Sequence, residues 1–144
     1  MSLVRLIVCT LMAVALSGCA LGKKEWPTAV KEDERFGMTV VSASRHDQCL
    51  SVVVQVSGAK DLLYRASLQF ESVGEGGGCP GCPFVPRDAI HVVRGQESFS
   101  LQDEFLSLEL CELQPGIEYR FRIAGKSELA NIPLVYTDTY AALP

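Results

Sequence analysis

The chain has 144 residues, of which 48% are hydrophobic, 21% charged and 8% aromatic. That length and apolar content suit one ordinary domain with a buried core and exclude disordered, collagen-like and low-complexity chains. With 13 Lys and Arg against 17 Asp and Glu, the formal charge is -4, which removes the electrostatic basis for nonspecific nucleic-acid binding.

The N-terminus carries one cation, Arg5, then an apolar run from Leu6 to Leu16, then Ser17, Gly18 and Cys19. A charged start, a short apolar stretch and a small-residue exit are the three regions of an export signal. The run is too short for a stable membrane-spanning helix, which takes roughly 20 apolar residues. The exit Leu16-Ser17-Gly18-Cys19 resembles the lipobox of bacterial lipoproteins. That resemblance implies acylation of the Cys19 thiol and removal of residues 1–18, leaving 126 residues with 12 basic and 17 acidic side chains, a balance of -5. Acyl chains would hold the protein on a membrane, since each buried methylene contributes about 0.8 kcal/mol. Ala20 rather than Asp follows the cysteine, which in such lipoproteins implies delivery to the outer membrane, facing the periplasm.

Residues Ala20 to Arg35 show no apolar periodicity and read as a short flexible tether. Lys23, Lys24 and Trp26 lie near the acyl site and suit the lipid headgroup level.

Alternation begins at about Phe36. Strands are predicted over Met38 to Ala43 and Leu50 to Val56, the latter with Leu50, Val52, Val54 and Val56 on one face. Leu63 to Phe70, Ala89 to Val93 and Leu106 to Leu110 follow, then Tyr119 to Ile123 and Pro133 to Tyr140. Clusters of Gly, Pro, Asp and Ser separate them, and no helix is predicted beyond the leader. About seven short strands at this spacing predict an all-β, Greek-key β-sandwich.

The segment Leu113-Gln114-Pro115-Gly116-Ile117-Glu118-Tyr119 resembles the E–F corner of fibronectin type III domains. In that family a Leu and a Pro-Gly turn precede a tyrosine whose hydroxyl bonds back to the corner backbone. The resemblance implies a structural tyrosine corner built from Leu113, Pro115, Gly116 and Tyr119, and a fibronectin type III-like sandwich over residues 37–142. Val56 stands where that family usually carries a Trp near the end of strand B, so the core is more aliphatic than is typical. Immunoglobulin domains fit less well, because Val54 and Phe121 are not a cysteine pair.

Six cysteines divide by position. Cys9 falls in the leader and Cys19 is the lipidation site, which leaves Cys49, Cys79, Cys82 and Cys111. An even number in an exported chain argues for disulfides, with three connectivities open. In the sandwich, strands B and E are antiparallel neighbours, which sets the start of one beside the end of the other. Cys49 and Cys111 are each out of phase with their strand's core residues, so a cross-strand Cys49–Cys111 pair on the outer face is predicted. Cys79-Pro80-Gly81-Cys82 then forms a local disulfide stiffening the long Gly-rich loop between strands C and C′. The competing readings of this CxxC are a thiol-redox site, which normally sits at a helix N-terminus, and a metal site, for which His91 is the only nearby histidine.

No catalytic arrangement is evident. His46 lies in a polar turn and His91 on a strand, both read as solvent-facing; no nucleophile elbow accompanies them. Asp103, Glu104, Glu109 and Glu112 read as solvated charges, and Gly74 to Gly78 lacks the Lys and the helix of a phosphate cradle. Arg120 and Arg122 alternate out of their strand toward solvent, near Glu109. The expectation is therefore a non-catalytic, lipid-anchored envelope protein without cofactor or metal, whose domain binds or scaffolds another envelope protein. The candidate recognition surface is the 74–87 loop with Phe84 and Val85 at its tip. The alternative is a redox or metal-handling lipoprotein acting through Cys79 and Cys82.

Overall fold

The computed structural model describes residues 29–144. The leader, Cys9, Cys19 and tether residues 20–28 lie outside the described residues. A short 3-10 turn at Glu32–Glu34 leads into β1 (Phe36–His46) and β2 (Cys49–Gly58). A second turn, Lys60–Leu62, leads into β3 (Leu63–Ser72), followed by β4 (Asp88–Val93), β5 (Ser100–Gln102) and β6 (Phe105–Leu110). β7 (Tyr119–Ser127), β8 (Val135–Tyr136) and β9 (Tyr140–Ala142) complete the chain.

Two antiparallel sheets form a sandwich. One has the order β1-β2-β6-β5; the other has β4-β3-β7, with β8 and β9 sharing the far edge of β7. Period-two patterning accounts for the core. In β2, Leu50, Val52, Val54 and Val56 are at most 1% exposed, and Leu106, Leu108 and Leu110 of β6 stand opposite Val54, Val52 and Leu50. The facing sheet contributes Leu63, Ala66, Leu68, Phe121 and Ile123. Burying such side chains contributes roughly 1.5–3 kcal/mol each, so this aliphatic seam sets the register of both sheets.

Three boundaries differ from expectation. The strand predicted over 133–140 divides into β8 and β9, because the chain bulges at Asp138–Thr139. Tyr136 pairs with Ala124, the Thr137 N–H donates to the Ile123 carbonyl, and Tyr140 pairs with Phe121, which leaves one residue too many opposite Arg122. The Thr137 hydroxyl accepts from the Ile123 N–H at 3.0 Å and helps hold this bulge. β5 carries only three residues, too few to show alternation. The domain also starts before residue 37: the Arg35 carbonyl accepts from the Ala59 N–H at 2.9 Å.

Between β6 and β7 the Gln114 N–H donates to the Tyr119 hydroxyl at 3.2 Å, above a buried Leu113 and a Gly116 at φ 73°. Arg45, at the end of β1, reinforces this corner. Its guanidinium donates to the carbonyls of Gln114 (2.7 Å), Ile117 and Ala142 (3.3 Å) and lies 5.4 Å from the Tyr119 ring centroid. One cation thus ties two carbonyls of the corner to that of Ala142 in β9.

Cys49 and Cys111 are joined, 62 residues apart in sequence. They stand one step beyond the Leu50–Leu110 pair that ends the β2–β6 ladder, as expected from their phase.

Candidate binding face

The outer face of the five-stranded sheet is set by the other half of the alternation. From β3 it takes Arg65, Ser67, Gln69 and Glu71; from β7 it takes Arg120, Arg122, Ala124 and Lys126, opposite them in register. His91 of β4 stands opposite Ser67, its Nδ1 2.7 Å from the Ser67 hydroxyl. Tyr136 of β8 stands opposite Ala124.

Glu71 is the unexpected member, with a side chain only 1% exposed on a nominal surface. A carboxylate loses its hydration there, which is tolerable only with a charged partner and hydrogen bonds. Arg120, directly across the ladder and 14% exposed, forms that ion pair. The Val85 N–H also points at Glu71, at 3.4 Å. Arg120 does not face solvent or approach Glu109, which belongs to the other sheet and pairs with Ser51. The period-two rule assigned its face correctly; what it could not show is that residues 73–87 fold back over that face.

The loop is pinned through the same guanidinium. Arg120 Nη1 donates to the Cys82 carbonyl at 2.6 Å, and Nη2 lies 3.5 Å from that of Pro83. The Val73 N–H donates to Glu118, Gly78 to Ser72, and Arg87 to Phe70, at 2.8, 2.8 and 3.0 Å. The glycine run reflects close approach. A Cβ on Gly78 would lie 2.8 Å from Glu71 Oε2 and 2.7 Å from Arg120 Nη2, so any larger residue would push the loop off the ion pair.

Cys79 and Cys82 are joined across an exposed turn in which the Cys82 N–H donates to the Cys79 carbonyl at 3.1 Å. Pro80 and Gly81 occupy the corner, and the Gly81 φ of 82° suits a type II turn. No helix follows among the described residues, so the dipole that usually stabilises a CxxC thiolate is missing there. His91 is engaged with Ser67. The described residues hold one cluster of three potential metal ligands, Cys49, Glu109 and Cys111, in which the two sulfurs are bonded to each other.

Phe84 and Val85 behave differently at the tip. Val85 is 52% exposed, whereas Phe84 is half-buried. Arg122 lies over the Phe84 ring at 5.1 Å and the Tyr136 ring at 4.3 Å, and its Nε donates to Gln69 at 2.8 Å. Beside the loop, Gln69, Pro86, Arg87, Asp88 and His91 line a shallow cleft of about 380 Å³. The face therefore combines a fixed guanidinium, an exposed aromatic ring, an apolar tip and a polar cleft. Sequence reading placed Phe84 and Val85 in the candidate site but missed Gln69, Glu71, Arg120, Arg122 and Tyr136. Alternation around Arg120 and Arg122 was the available signal for two of them.

No protein-family description matches the chain, and no curated protein resembles it in sequence. Among solved structures, a bacterial cell-surface-expressed multi-modular chitinase from Paenibacillus superposes with a TM-score of 0.48 at 10% identity. The superposition covers 87% of this chain and 10% of that one. This chain thus spans about a tenth of that enzyme's length, and no role carries over from it.

Proposed function

We propose that the chain is a membrane-anchored envelope lipoprotein that presents a fibronectin type III-like sandwich as a non-catalytic binding or scaffolding module. The outer face of the five-stranded sheet, with the loop laid across it, is the recognition surface. One observation carries this reading: a buried Glu71–Arg120 pair holds a glycine-rich loop on a sheet face that already displays Arg122 between two aromatic rings. A loop held in one conformation loses less entropy on binding, so it favours recognition. The strand pairing order and the Gln114–Tyr119 bond support the fibronectin type III-like reading. The lipobox-like exit before Cys19 supports the anchor.

Expression of the full chain in a diderm bacterium with radiolabelled palmitate tests the anchor. The wild-type protein is expected to take up label and sediment with membranes, and Cys19→Ala to do neither. Equal labelling of both, or an intact leader by mass spectrometry, would overturn it. Crosslinking in the same membranes tests the binding role: a partner captured by wild type and lost in Arg120→Ala supports it, and capture of none refutes it.

A further inference from the structure

We propose that the outer face of the five-stranded sheet receives an extended, carboxylate-rich segment of a partner polypeptide. This deepens the reading above and rests on it for the choice of face. The chain as a whole is acidic, at -4, yet β3 and β7 place four cations on this face, Arg65, Arg120, Arg122 and Lys126, against one carboxylate, Glu71, which Arg120 engages; Asp88 of β4 lies at its edge beside Gln69 and His91. Arg65, Arg122 and Lys126 form no ion pair among the described residues. Arg65 and Lys126 stand directly opposite each other, where like charges destabilise a sheet. An anion laid across the Arg65–Lys126 pair would offset that repulsion.

The cations suit a carboxylate on a polypeptide. Arg122 has committed Nε to Gln69 and lies over two rings, so its Nη fork is preoriented for a bidentate acceptor. Arg122 and Lys126 flank Ala124, opposite which stands the exposed Tyr136, and the Phe84 ring lies against Arg122. This mixture of charge and apolar contact fits an extended chain whose alternate residues point to one face. A uniformly anionic polymer or lipid layer would leave the apolar positions unmatched.

The test uses the full chain in detergent and fluorescence anisotropy. The probes are a labelled synthetic peptide alternating Glu and Ala, its Gln-Ala counterpart, inorganic polyphosphate and phosphatidylglycerol vesicles. The Glu-Ala peptide is expected to bind at least about tenfold more tightly than the Gln-Ala peptide, and less tightly as salt rises. Arg122→Gln and Lys126→Gln, each checked for an unchanged melting temperature, are expected to weaken it by about tenfold or more. Glu109→Gln, on the opposite sheet, is expected to leave it unchanged. No discrimination between the peptides, variants that bind like wild type, or tighter binding of polyphosphate or vesicles would each overturn the inference. A crosslinked membrane partner retained equally by both variants would also overturn it, while leaving the binding-module reading intact.

Discussion

Arg120→Ala is expected to destabilise the domain by about 3–5 kcal/mol, the range for removing one partner of a buried ion pair. The reason is desolvation. Glu71, at 1% exposure, would lose the guanidinium that offsets its desolvation, and the Cys82 carbonyl would lose its donor. For a domain of this size the melting temperature should fall by roughly 10 °C or more. Glu71→Leu combined with Arg120→Met should recover part of the loss, because an apolar pair leaves no buried charge behind. Thermal unfolding of wild type, single and double variants separates the outcomes. A single variant as stable as wild type would mean that solvent reaches Glu71 and that the loop does not seal it.

The second large effect concerns the two disulfides, which share their chemistry and differ in the loop they close. Cys49 and Cys111 are 62 residues apart and Cys79 and Cys82 only 3. In the chain-entropy account, the longer loop stabilises by up to about 4 kcal/mol, roughly 2–3 kcal/mol more than the shorter one. Cys49→Ser with Cys111→Ser should therefore lower the denaturant midpoint markedly, and Cys79→Ser with Cys82→Ser much less. Equal losses would show that the short bridge carries native-state contacts beyond its own turn.

The fold was readable where one physical rule acted alone. Alternation in β2 and β6 exposed the core residues, the phase of Cys49 and Cys111 against that core indicated their pairing, and the Pro-Gly turn before Tyr119 marked the corner. Reading failed where two distant segments share one surface. Arg120 and Arg122 are out of phase with the core as expected, but Arg120 does not face solvent. Only the return path of residues 73–87 buries one and brings Phe84 to the other. Glu71 gave no sign of burial, since a carboxylate on a strand's polar face is ordinarily solvated. Arg45 was similarly hidden: its partners Ile117 and Ala142 lie 72 and 97 residues away in sequence. The glycine run gave no sign of close packing, whereas Gly78 is small because it rests against the ion pair.

Amide hydrogen exchange across residues 73–87 tests most directly whether this loop is a fixed surface. Seven amides there have acceptors, including Val73 on Glu118, Gly78 on Ser72 and Arg87 on Phe70. The wild-type protein should protect the peptides spanning 72–88 well above the unstructured rate, and Arg120→Ala should abolish that protection while leaving β2 and β6 slow. Exchange at the unstructured rate in wild type, or identical protection in the variant, would contradict the account.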